Sequence, residues 1–101
     1  MKPAPPGGAE QVLVRNSQYE IATVRIGAFL VVRIRGRYVD ELLTELRSLF
    51  REKTSFAVDI SALSGISMPL AREILFTAQI LKNTDHRLVL LSPTDRLRSL
   101  L

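Results

Sequence analysis

The sequence of 101 residues contains no cysteine, no tryptophan and only one histidine, His86. Without cysteine the chain has no disulfide framework, no thiolate metal site and no cysteine nucleophile. A single histidine is also too few for zinc motifs of the HExxH type, which bind the metal through a pair of histidines. These absences exclude several classes of enzyme and metalloprotein.

Long hydrophobic runs are missing as well. The longest uninterrupted apolar run covers residues 28–32, whereas a membrane-spanning helix needs about 20 apolar residues. Residues 1–8 contain a lysine and three prolines with no hydrophobic segment behind them, which is unlike a secretory signal. Together with the lack of cysteine, this pattern predicts a cytoplasmic protein that does not insert into a membrane.

The common catalytic and nucleotide-binding motifs do not occur in the sequence. There is no GxGxxG or GxxxxGK[ST] loop to hold phosphate groups. There is also no GxSxG turn to present a nucleophilic serine. We therefore expect a non-enzymatic protein that carries no cofactor and no metal.

The chain divides into a short tail and one predicted domain. Residues 1–10 hold three prolines and two glycines, a composition that predicts a flexible tail. Residues 11–101 are expected to form a single domain, because the chain's 47% apolar and 24% charged residues are typical of a globular protein.

Hydrophobic periodicity predicts the order strand, strand, helix, strand, helix, strand, helix. The predicted strands are residues 11–16, 19–26, 28–35, 56–60 and 87–91. The predicted helices are residues 41–53 with Asp40 as N-cap, residues 67–82 with Ser67 as N-cap, and residues 94–101 with Thr94 as N-cap. Alternation after the first hairpin implies parallel crossovers. This order predicts an α/β fold, a small mixed sheet with helices packed mainly on one face.

The first two predicted helices each have an apolar stripe at helical spacing. The stripe of the first helix consists of Leu42, Leu43, Leu46, Leu49 and Phe50. The stripe of the second helix consists of Leu70, Ile74, Ala78 and Leu81, widened by Ala71 and Leu75. Residues at this spacing share one side of a helix, so we expect both stripes to face the sheet.

The basic residues outnumber the acidic ones and give a net charge of +4. Arg33, Arg35 and Arg37 occur at every second position, so on a strand they would share one face. They form either the solvent face of a one-sided sheet or a stripe that binds an anion or a partner. No aromatic residue interleaves them, so the stacking expected of a single-strand nucleic-acid binder is missing. Nucleic acid is therefore a less favoured ligand of this stripe than another anion or a protein partner.

The segment 59–72 (DISALSGISMPLAR) joins a predicted strand to a predicted helix. The strand is expected to end near Asp59, a loop covers residues 61–66, and the helix begins at Ser67. Unpaired N–H groups at such a helix start suit an anion or a docking partner. An ordinary strand-to-helix connection is the other interpretation.

Three stretches of the chain resemble a known family. They are IRGRYVDELLTELRSLF, FAVDISALSGIS and RLVLLSPTDRLRSLL. In this order they resemble the STAS domain (sulfate transporter and anti-sigma factor antagonist) over residues 19–101. The segment LAREIL is closest to the stressosome-type, anti-sigma factor antagonist branch. The resemblance implies a bacterial, cytoplasmic interaction module in signal transduction and transcription regulation.

In that family a serine at the start of the second helix is phosphorylated by a partner kinase, and the phosphate controls binding to an anti-sigma factor. Here Met68 and Pro69 lie at the corresponding positions, and neither residue accepts phosphate. The resemblance therefore implies a docking module that is not controlled at the usual site, with Ser67 and Ser64 as candidate phosphorylation sites. The implied partner is an anti-sigma factor or its kinase. The implied partner-binding residues are Ser64, Gly65, Ser67, Met68, Pro69 and Arg72.

Two alternative functions stay open at this point. The chain is a scaffold subunit of a larger signalling assembly, or it binds anions or nucleic acid through Arg33, Arg35 and Arg37. Family members continue with one more strand and helix, so the resemblance also implies a domain truncated at its C-terminus. Residues 11–16, a second copy of the chain or a partner would then cover the gap, and a homo-oligomer is one expectation.

Overall fold

The computed structural model describes residues 10–65 and 67–91. The strands are β1 (Gln11–Arg15), β2 (Tyr19–Ile26), β3 (Phe29–Arg37), β4 (Ser55–Ser64) and β5 (Leu88–Leu91). The helices are α1 (Asp40–Leu49) and α2 (Met68–Lys82). The helix predicted for residues 94–101 lies outside the described residues. Neither helix in the described part of the chain is long and apolar enough to cross a membrane.

The five strands form one mixed sheet in the order β1-β2-β3-β4-β5. The pairs β1–β2 and β2–β3 are antiparallel, whereas β3–β4 and β4–β5 are parallel. α1 and α2 connect the parallel pairs, so the protein has the predicted α/β architecture. β1 pairs with β2, at the edge opposite β5. Of the three alternatives for covering the gap, residues 11–16 therefore do supply a strand, but it lies at the edge of the sheet opposite β5.

The core lies between one face of the sheet and the two helices. From the sheet it contains Val32, Ile34, Phe56 and Val58, and from the helices Leu42, Leu46, Leu70 and Ile74, each at most 2% exposed. Fully burying a side chain of this size stabilises the fold by about 1.5–3 kcal/mol. The helices therefore lie on one face. On the other face, here called the open face, no helix packs within residues 10–65 and 67–91.

The first helix differs from its prediction at both ends. α1 begins at Asp40, and Val39 is the N-cap without a side-chain hydrogen bond, so the prediction of Asp40 as N-cap is wrong. The helix ends at Leu49, before the predicted end at Lys53. Phe50 is the C-cap; it is buried and packs edge-to-face on Phe56 with ring centroids 5.1 Å apart. This contact joins the end of α1 to β4.

The fourth strand is longer than predicted, because β4 continues past Ile60 to Ser64. Its pairing with β3 shifts between Arg33 and Arg35. This irregularity places one extra residue on β4 and lets the strand continue after the buried segment. Residues 61–64, predicted as a loop, therefore lie in the sheet, and Asp59 lies within a strand instead of at its end.

Gly36 fixes the position of β3 against the start of β2. Its φ is +101°, and a Cβ at this position would collide with the backbone carbonyl of Gln18. The same carbonyl accepts a hydrogen bond from the backbone N–H of Arg37 at 2.9 Å. Glycine alone fits this combination of backbone conformation and close approach. The strand predicted to end at residue 35 therefore continues through Gly36 to Arg37.

Candidate docking surface at the start of α2

The chain leaves the sheet at Ser64 and Gly65. The hydroxyl of Ser64 donates a hydrogen bond to the carbonyl oxygen of Gly36 at 3.0 Å, which ties the end of β4 to β3. Gly65 has a φ of +92° with no atom near its missing Cβ. Glycine is therefore favoured there by backbone conformation. These two residues turn the chain out of the sheet toward α2.

Ser67 then caps α2, as the sequence predicted. Its hydroxyl oxygen accepts a hydrogen bond from the backbone N–H of Leu70 at 3.3 Å. Pro69 lies in the first turn, where an N–H would have no partner within the helix. The first turn contains no acidic residue. The positive end of the helix dipole is therefore not balanced by a carboxylate of its own turn.

The exposed side chains of this corner combine an apolar pair with a cation. Met68 is 48% exposed, Pro69 is exposed beside it, and Arg72 is exposed one turn later. Leu70 and Ala71, between them, are buried in the core. The buried pair holds the helix start in place, so Met68 is presented outward on a fixed backbone. The six predicted partner-binding residues make up this corner, here called the α2 corner.

Both candidate phosphorylation sites use their hydroxyl groups in the fold. Ser67 is half-buried and its oxygen is the helix cap, whereas Ser64 is exposed and its hydroxyl donates to Gly36. A phosphate on Ser67 would lie at the helix N-terminus, where negative charge is favourable. A phosphate on Ser64 would remove the donor that ties β4 to β3.

The three arginines of β3 are not equivalent. The side chain of Arg33 pairs with Glu10 at 2.9 Å and with Asp59 at 3.7 Å. Arg35 and Arg37 are exposed, and within residues 10–65 and 67–91 they have no carboxylate at ion-pair distance. The stripe predicted from the sequence therefore lies on the open face, but one of its three cations is already neutralised.

Asp59 is a structural partner of this stripe. The backbone N–H and the hydroxyl of Ser61 donate to its Oδ1 at 3.0 Å and 2.7 Å. Burial raises the pKa of Asp59, but the Ser61 hydrogen bonds and the nearby Arg33 and Arg35 together outweigh burial and hold that pKa below its usual value. In the described part of the chain no three histidine or acidic residues lie together as a metal site would need.

Sequence reasoning missed the rest of the exposed surface of α2. Phe76 is 59% exposed and Ile80 is 48% exposed. Leu75, predicted to widen the buried stripe, is exposed because it lies on the outer side of the helix. The sequence did contain a sign of this exposure, because Phe76 and Ile80 fall outside the apolar stripe of Leu70, Ile74 and Leu81.

The scan against protein-family models and the search of curated proteins find no match to this chain. The resemblance to the STAS domain therefore rests on the three stretches of sequence alone. The fold follows from the coordinates independently of that resemblance.

Proposed function

We propose that this protein is a non-enzymatic interaction module of the STAS type, which binds a regulatory protein through the α2 corner. The partner class is an anti-sigma factor or the kinase of such a system. The usual phosphorylation switch is replaced by constitutive docking, because Met68 and Pro69 stand where the family has its modified serine.

The observation that carries this proposal is an exposed apolar pair on a rigid support. Met68 and Pro69 follow a capped helix start, and the buried Leu70 holds the first turn against the sheet. A backbone segment fixed before binding loses less entropy when a partner docks on it. Methionine also adapts its shape to an apolar partner surface. These properties suit a docking contact.

The arginine stripe supports anion binding less well than the α2 corner supports docking of a protein. Arg33 is paired with Glu10 and Asp59, so an incoming phosphate would compete with two carboxylates for it. Of the three arginines of the stripe, only Arg35 and Arg37 are exposed and without an ion pair in the described residues. Two neighbouring cations make a weaker anion site than the three that the sequence suggested.

Affinity capture from the cells of origin tests the proposal. The tagged wild-type chain is compared with Met68→Glu, which places a charge in the centre of the proposed contact. The matched control is Val12→Glu, since Val12 is 43% exposed and lies on β1, outside the α2 corner. Quantitative mass spectrometry then compares the recovered proteins.

The proposal predicts that the wild-type chain and Val12→Glu recover the same regulatory protein, while Met68→Glu loses it. Circular dichroism melts confirm that all three chains are folded. Equal recovery by Met68→Glu and by the wild type would reject the α2 corner as the binding surface.

A further inference from the structure

Four exposed side chains of α2 form one continuous line. Met68, Arg72, Phe76 and Ile80 follow one another at four-residue intervals, and all four are exposed. Residues at this interval stack along the same side of a helix. The line, here called the α2 row, is about 18 Å long at 1.5 Å per residue. The α2 corner is therefore one end of a longer exposed surface with three apolar members.

The far end of the α2 row borders a groove between the two helices. The groove has a volume of about 470 Å³. Phe76 and Ile80 line it from α2, Arg47 and Arg51 line it from the α1 side, and the buried Phe50 lies among its lining residues. A smaller depression next to it is lined by Pro69, Arg72 and Phe76. The row and the depression thus connect the groove with the α2 corner.

The charges around this groove are unequally matched. Arg47 pairs with Glu73 across the two helices at 2.9 Å. Three cations at the rim, Arg51, Lys53 and Arg72, have no carboxylate at ion-pair distance within residues 10–65 and 67–91. Of the acidic residues that line the groove in this part of the chain, Glu52 alone has no cation at that distance. The rim therefore has an excess of unpaired positive charge beside an apolar row.

We infer that this groove receives an amphipathic helix of the partner, with its apolar face on Phe76 and Ile80 and acidic residues against Arg51 and Arg72. The inference rests on the proposed function and extends its contact from the α2 corner along α2. Binding of a helix through apolar residues at three- and four-residue intervals is a recurrent mode of recognition. Aromatic anchors supply most of the affinity in such contacts.

A second copy of the chain is the less suitable occupant. Two copies facing each other through this groove would bring Arg51, Lys53 and Arg72 near the same cations of the other copy. Like charges across an interface oppose association. An acidic partner instead turns the excess positive charge into attraction.

Two synthetic helical peptides serve as probes. Both carry leucine at the same three- and four-residue intervals, and they differ only in having glutamate or lysine at every flanking position. Fluorescence anisotropy measures their binding to the full chain at low and high salt, and sedimentation velocity measures self-association of the chain alone.

The protein variants are Phe76→Ala and Ile26→Ala. Ile26 is the matched control, because it is 56% exposed but lies on β2, away from the groove. The inference predicts that the glutamate peptide binds and that the lysine peptide binds at least tenfold more weakly. It also predicts that added salt lowers the affinity of the glutamate peptide for the protein. Phe76→Ala lowers the affinity by about thirtyfold, the effect of losing an aromatic hot spot, and Ile26→Ala changes it less than twofold.

The inference is overturned if the two peptides bind equally well or if the glutamate peptide does not bind. It is also overturned if Phe76→Ala and Ile26→Ala change the affinity equally. A stable dimer lost in Phe76→Ala overturns it as well, in favour of self-association. Cellular capture separates the two proposals. If Phe76→Ala still recovers the partner while Met68→Glu does not, the groove is rejected and the α2 corner stands. If both variants recover the partner, both proposals fail.

Discussion

Asp59 illustrates how a carboxylate within a strand serves the fold. Its Oδ1 accepts two hydrogen bonds from Ser61, and its Oδ2 lies 3.7 Å from the side chain of Arg33. These contacts favour the ionised form and keep the pKa below its usual value, despite the opposing effect of burial. The same groups hold β4 in place at the irregularity of its pairing with β3. Asp59 therefore lies within β4 and not at the end of a strand, where the sequence placed it.

Asp59→Asn tests this role through the dependence of stability on pH. Because the pKa of Asp59 is lower in the folded than in the unfolded protein, its contribution is complete above about pH 4 and is lost as the pH falls through the folded pKa. Urea unfolding at pH 7 should show the variant less stable than the wild type by about 1.5–3 kcal/mol, the size expected for hydrogen bonds to a charged group.

The difference between wild type and Asp59→Asn should shrink when unfolding is repeated near pH 3. Ser61→Ala should behave in the same direction with a smaller effect, because it removes one of the two Ser61 hydrogen bonds. A difference that is constant or grows on acidification would show that Asp59 does not stabilise the fold as a carboxylate.

Helix α2 depends on its cap more than α1 does. Ser67 provides the side-chain acceptor for Leu70, whereas Val39 at the start of α1 provides none. α1 instead has Asp40 and Glu41 in its first turn, where acidic residues interact favourably with the helix dipole. The two helices thus satisfy their N-termini by different means.

Ser67→Ala should lower the free energy of unfolding by about 1 kcal/mol, the usual effect of removing a serine cap. Ser67→Asp should restore this loss, because aspartate is also a good cap and adds a negative charge at the helix start. Urea unfolding at neutral pH measures both. The control is Ser48→Ala in α1, an exposed helical serine that should change stability by a few tenths of a kcal/mol at most. Equal effects of Ser67→Ala and Ser48→Ala would contradict the role of the cap.

The local hydrophobic pattern of the sequence was sufficient to predict most helices and strands. The stripe of Leu42, Leu46 and Phe50 is buried as expected, and the hairpin of β2 and β3 turns at Gly27 with a φ of +60°. Periodicity works here because each element buries one side against a single core.

The end of β4 could not be predicted in the same way. Ser61, Ala62 and Ser64 are exposed and small or polar, so they carry no hydrophobic signal. Ala62 and Ser64 are strand residues because their backbone pairs with the end of β3, a segment more than twenty residues earlier in the chain, and Ser61 lies at the irregularity of that pairing. Pairing between distant backbone segments leaves little trace in a local window of sequence.

At the scale of the whole molecule, the candidate site was only partly predictable. The α2 corner is contiguous in sequence, so its capped start and its exposed Met68 follow from residues 64–72. The groove needs Arg47 and Arg51 from one helix and Phe76 and Ile80 from another. Only the packing of α1 and α2 on the same face of the sheet brings these residues together.

The overall charge fits the same account of partner binding. The chain carries a net charge of +4, and the unpaired cations around the groove lie beside the exposed apolar row of α2. Long-range attraction of an acidic partner would speed association and weaken with added salt.

The most direct measurement observes Met68 itself while the partner binds. The chain has two methionines, Met1 and Met68, so a sample labelled with ¹³C in the methionine methyl groups gives two signals, which the Met68→Leu variant assigns. We predict that adding the protein captured by the wild-type chain shifts or broadens the Met68 signal at stoichiometric concentration. A Met68 signal that stays unchanged while the complex forms would contradict docking through the α2 corner.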